Sequence, residues 1–120
     1  MAQRDDAPED LLPLPSATFH ILLALADDDR HGYAIMQEVA ARTDGRVELG
    51  AGTLYRSIQR MLEQGLIAEV RQRPAREHDD ERRRYYRLTA FGRRVAEAEM
   101  DRLTGLVKIA RAVGLRPEKA

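Results

Sequence analysis

Cysteine and tryptophan are absent from the 120 residues, and the other aromatics are few, four Tyr and two Phe. Without Cys there is no disulfide, no thiolate nucleophile and no thiolate-ligated metal, a composition that suits a reducing compartment. With so few bulky rings the core has to come from Leu, Ile, Val, Ala and Met on amphipathic helices. No apolar run approaches the roughly 18 residues of a membrane span, and the N-terminus is acidic where a secretory signal is basic. A cytoplasmic protein without membrane association is expected. Phosphate-binding loops, His-x-x-x-His pairs and recognisable nucleophile and base motifs are missing as well. The only histidines are His20, His31 and His78, and although His78 stands beside Asp79 and Asp80, adjacent residues on one loop do not preform a metal site. Neither catalysis nor a bound metal or cofactor is expected.

A charge excess of either sign is also lacking, since 20 basic and 20 acidic residues cancel. Distribution governs the local field more than the total does, and here it is uneven. Asp5, Asp6, Glu9 and Asp10 crowd the N-terminus, whereas Arg71, Arg73, Arg76, Arg82, Arg83, Arg84, Arg87, Arg93 and Arg94 crowd one later stretch. Almost every cation is Arg, whose planar fork suits phosphate and guanine edges better than the point charge of Lys.

The length fits one domain with an appendage. Residues 1–10 are polar, acidic and expected to be disordered. Pro13, Pro15 and Ser16 punctuate the start of a first helix over about 16–26, with Phe19, Leu22, Leu23 and Ala26 as its core stripe. Asp27 to Arg30 form a polar turn, and a second helix runs from about His31 to Arg42 with Ile35, Met36 and Val39 turned inward. Val47-Glu48-Leu49 is a minimal strand signal. The third helix spans 52–64, with Leu54, Ile58, Met61 and Leu62 on one stripe and Arg56, Gln59, Arg60 and Glu63 opposite it. Thr53 or the flexible backbone before it caps the start, and Gly65 is the left-handed stop.

Leu66–Arg71 and Arg83–Leu88 read as the strands of a hairpin whose tip, 72–82, is polar and charged. From Thr89 to about Val113 the pattern is helical again, with Phe91, Val95, Ala98, Leu103, Leu106, Ala110 and Val113 along one stripe. That helix is longer than a small domain needs, and its stripe would stay wet on a lone chain. A second copy packed through Phe91, Val95, Leu103, Leu106, Ala110 and Val113, helped by Leu11, Leu12 and Leu14, would cover it. The fold class expected is mainly α with a small β-hairpin. A winged helix-turn-helix domain occupies 11–88, a dimerisation helix 89–113 and a flexible tail 114–120. In such a fold the third helix enters the major groove, about 12 Å wide, while the hairpin follows the flanking backbone.

Four motifs carry a family resemblance: His31-Gly32-Tyr33, Gly52-Thr53-Leu54-Tyr55, Glu63-Gln64-Gly65-Leu66-Ile67, and Arg84-Tyr85-Tyr86-Arg87-Leu88-Thr89 followed by Gly92. In this order and spacing they resemble the PadR family of bacterial transcriptional regulators over about Leu14 to Ala110. The single C-terminal helix is similar to the smaller PadR subgroup. The resemblance implies a homodimeric repressor that binds double-stranded promoter DNA at an inverted repeat and leaves it on a signal, such as a small-molecule effector whose identity the sequence does not specify. It implies DNA contacts by Thr53, Tyr55, Arg56, Gln59 and Arg60, and by Tyr33 at a phosphate. Tyr33 and Tyr86 serve equally well as packing residues. Arg82, Arg83 and Arg84 fit phosphate contacts at the base of the wing, although strand alternation turns at least one of them away. The tip Glu77-His78-Asp79-Asp80-Glu81 departs from the basic or glycine-bearing tips of many relatives and would be repelled by phosphates. A winged helix that grips an acidic protein through Tyr55 and the arginines is the alternative.

Overall fold

A computed structural model describes residues 7–70 and 84–118. Three helices, α1 (Ser16–Leu25), α2 (Gly32–Arg42) and α3 (Ala51–Glu63), pack around a common centre with a small sheet and the first half of a long helix, α4 (Ala90–Ala112). The sheet has the order β1-β3-β2, all antiparallel, with β1 at Arg30–His31, β2 at Ile67–Val70 and β3 at Tyr85–Leu88. Tyr86 is the hub of the register, opposite Arg30 on one side and Glu69 on the other. Neighbouring residues point to opposite faces of a strand, yet Tyr85 and Tyr86 are both buried. Both faces of the sheet are therefore covered here. Tyr86 joins the core, and Tyr85 meets the edge of His31 with ring centroids 5.2 Å apart.

Local chemistry sets the joints. His31 Nδ1 accepts from the Ala34 amide at 3.2 Å and caps α2. At the end of α3, Gly65 takes φ 78°, the left-handed turn expected there. Thr89 ties that turn to α4. Its hydroxyl lies 2.7 Å from the Gly65 carbonyl and accepts from the Gly92 amide at 2.9 Å. Gly92 lets the backbones touch, since a Cβ there would fall 2.9 Å from the Leu66 carbonyl carbon and nearer still to its oxygen.

Three expectations are corrected. The buried face of α1 is Thr18, Ile21, Leu22, Ala24 and Leu25, whereas Leu23 and Ala26 are exposed and Phe19 is half-buried. A polar Thr in the buried arc shifts the phase that an apolar count reads. Val47–Leu49 is not a strand. Its apolar side chains lean on the core while Thr43 Oγ1 accepts from the Val47 amide at 3.0 Å. The third strand is Arg30–His31, two polar residues too few to show any apolar alternation. Further, Pro8–Leu11, overlapping the stretch expected to be disordered, forms a 3-10 helix against α4. Leu11, Leu12 and Leu14 pack onto the core from there. Among the described residues no helix is long and apolar enough to cross a membrane.

Candidate nucleic-acid interface

The two sides of α3 differ sharply. Leu54, Ile58 and Met61 are buried, and Thr53, Tyr55, Arg56, Gln59, Arg60 and Glu63 are exposed. Burial of the apolar stripe fixes the rotation of the helix and so aims the polar set outward. No side chain caps its start, where Gly50 is the N-cap and Thr53 lies inside the first turn. Arg56 and Arg60, one turn apart, line an open groove of about 440 Å³ with Ser57, Gln59 and Glu63, and with Pro15 and Thr18 from the start of α1. Gln59 Nε2 donates to Glu63 Oε2 at 3.4 Å. Among the described residues neither Arg56 nor Arg60 forms an ion pair, so their charge is open to an external anion. Tyr33, in the first turn of α2, is 55% exposed and Tyr55 is 50% exposed, whereas Tyr86 is packed away and its phenol pKa is raised, chiefly by burial.

Other arginines are already engaged. Arg87 holds Asp29 through two hydrogen bonds of 3.2 and 2.9 Å, which raise its own pKa. Arg93 donates to the Ala26 carbonyl at 2.9 Å. Arg42 grips Asp27 at 3.0 Å and Glu38 at 2.6 Å, and its hydrogen bond is the first cause of the lowered Asp27 pKa. These contacts fasten the turn after α1 to α2, β3 and α4. The basic stretch read from the sequence therefore divides between scaffold and surface. Arg84 is exposed, 3.8 Å from Glu69 on the adjacent strand. Arg82, Arg83 and the acidic tip Glu77–Glu81 lie outside the described residues.

Along α4 the expected dimer stripe divides as well. Val95 is fully buried in the chain's own core, which removes it from any surface that a second chain could reach. The physical reason is that α4 packs on α1 and on the N-terminal 3-10 helix before it projects. Phe91 is half-buried against that core, Leu103 and Ala110 are half-buried, and Leu106 and Val113 are exposed at 49% and 69%. Val107, Ile109 and Met100 are large exposed apolar residues that the stripe left out.

Residues 21–98 match the profile of the transcriptional regulator PadR-like family. This chain belongs to the PadR-like family. A protein of Lysinibacillus sphaericus is 36% identical over 73 residues, 61% of this chain and 64% of that relative's length, so the match spans less than two thirds of it. A PadR family transcription regulator from hypervirulent Clostridium difficile superposes with a TM-score of 0.69 at 24% identity, covering 82% of this chain and 98% of the other. A transcriptional regulator from Clostridium thermocellum gives 0.68 at 24%, covering 82% and 92%. The winged-helix fold of this PadR-like protein is thereby matched across most of its length, and the family is one of transcriptional regulators. Sequence reasoning missed Pro15, Thr18 and Ser57 as walls of the groove, because only the fold sets the start of α1 beside α3. It quoted Gly32 within a motif but could not place the Tyr55 ring against it.

Proposed function

We propose that this PadR-like protein is a homodimeric, sequence-specific transcriptional repressor that holds an inverted-repeat operator and leaves it on a signal. The observation that carries the reading is the outer face of α3, with Arg56 and Arg60 exposed, without an ion-pair partner among the described residues, and one turn apart along a groove. A helix face of this kind fits a major groove, where Arg reads guanine edges and neighbouring Thr and Gln side chains add polar contacts. Tyr33 and the wing arginines Arg82, Arg83 and Arg84 take phosphates in this scheme. Pairing of the exposed half of α4 in two copies presents two α3 helices, and an operator with half-sites about 34 Å apart, or a multiple of that spacing, suits such a pair. The part proposed to bind DNA is 11–88 and the part proposed to dimerise is the distal end of 89–113.

Base contact and phosphate contact separate by mutation. A bidentate Arg contact to guanine carries about 1–3 kcal/mol of base discrimination, while a phosphate contact strengthens all sequences alike. Arg56→Ala is expected to flatten sequence preference in binding to duplexes enriched from a random pool. Arg84→Ala is expected to weaken every sequence and to lower the salt slope by about one unit. Unchanged preference and affinity in Arg56→Ala would show that another face reads the DNA.

A further inference from the structure

Gly32 is buried at the first position of α2, directly after the cap His31. Its backbone is not in the left-handed region, and alanine is the better helix former at such a site. Conformation therefore gives no reason for glycine. Space does. A Cβ on Gly32 would lie 2.8 Å from Tyr55 Cζ, 3.0 Å from Cε1 and closer still to the hydroxyl oxygen. The ring of Tyr55 thus crosses from α3 and sets its hydroxyl end on the bare backbone where α2 begins. Half of the ring remains exposed. Tyr33, the residue after Gly32 in α2, is also exposed, and the buried Tyr86 is close enough for its titration to feel Tyr55.

We propose that Gly32 is a positioning residue for DNA binding, a seat without a side chain that holds the Tyr55 phenol at the junction of α2 and α3. The inference rests on the reading of α3 as the DNA-facing helix and assigns a role to a residue that touches no DNA itself. The obstructing atoms are the far end of a movable side chain, so Gly32→Ala leaves the fold intact and swings Tyr55 off its seat. Gly92 is the contrast, since the nearest atom in its way is the backbone carbonyl oxygen of Leu66.

The test is a double-mutant cycle read by fluorescence anisotropy, using the duplex that the wild type enriches from a random-sequence pool. Gly32→Ala is expected to weaken binding about tenfold, the scale of one lost contact. Tyr55→Ala should weaken it comparably, and the double variant should match Tyr55→Ala with no added loss. Without DNA, the ring resonances of Tyr55 should move in Gly32→Ala while the thermal midpoint stays near that of the wild type. Wild-type affinity in Gly32→Ala, or losses that multiply in the double variant, overturns the positioning role alone. A wild type that enriches no duplex overturns the DNA reading and this role with it, and the ring resonances then still report whether the seat exists. If Gly32→Ala does not fold, the double variant decides, because removing the ring must restore folding; failure there overturns the proposal.

Discussion

Glu99 shows how a single side chain can defeat an apolar count. It sits on α4 only 3% exposed, its carboxylate accepting from Arg102 at 2.7 and 2.9 Å and from the Leu14 amide at 3.4 Å. The Arg102 hydrogen bond is the main reason its pKa falls below the ordinary 4.5, against the opposing pull of burial. A depressed carboxyl pKa contributes stability above its unfolded value and loses it as pH falls through the folded value. Arg102 is a third exposed, so solvent screening keeps the expected loss in Glu99→Gln at about 1–2 kcal/mol near neutral pH. The gap should close as pH falls below the ordinary carboxyl value and on through the lowered one, as measured by urea unfolding of both proteins. A gap independent of pH would mean that the Gln variant loses packing and not charge. By joining Leu14 to α4, this carboxylate also fastens the N-terminal strap to the helix that projects from the domain.

Among the elements, α3, β2 and α4 meet at a close joint around Leu66 and Gly92. Gly92→Ala would drive a methyl group into the Leu66 carbonyl, and backbone cannot swing aside as a side chain can. Overpacking of this kind typically costs 1–3 kcal/mol, so thermal or urea unfolding should show a loss of about 2 kcal/mol or more. A neutral variant would mean that α4 shifts freely against the Gly65–Leu66 turn. The sequence made α3 legible because its apolar and polar residues separate cleanly around the axis, and it made the ends of α3 and α4 legible through Gly65 and Thr89. It left α1 out of phase because Thr18 is buried among apolar neighbours, and β1 unseen because two polar residues, Arg30 and His31, show no apolar alternation. Tyr33 and Tyr86 could not be told apart in sequence, as either could be packed; only the fold buries one and exposes the other. Arg87 and Arg93 looked like free cations for the same reason, since their partners Asp29 and Ala26 are remote in sequence.

For the whole molecule, the division of labour along α4 decides the account. Its first half closes the core through Gly92, Val95 and Glu99, and its second half carries Leu106, Val107, Ile109 and Val113 into solvent. An exposed apolar helix end of this kind is what a second copy would cover, and two α3 faces set by one rigid pair would read two half-sites together. The most direct measurement is analytical ultracentrifugation of the protein titrated with its selected duplex, beside an Arg56→Ala/Arg60→Ala variant. The expected result is two chains per duplex for the wild type and free dimer with unbound DNA for the variant. One chain per duplex, or a variant that binds as the wild type does, would contradict the claim that a dimer reads DNA through the outer face of α3.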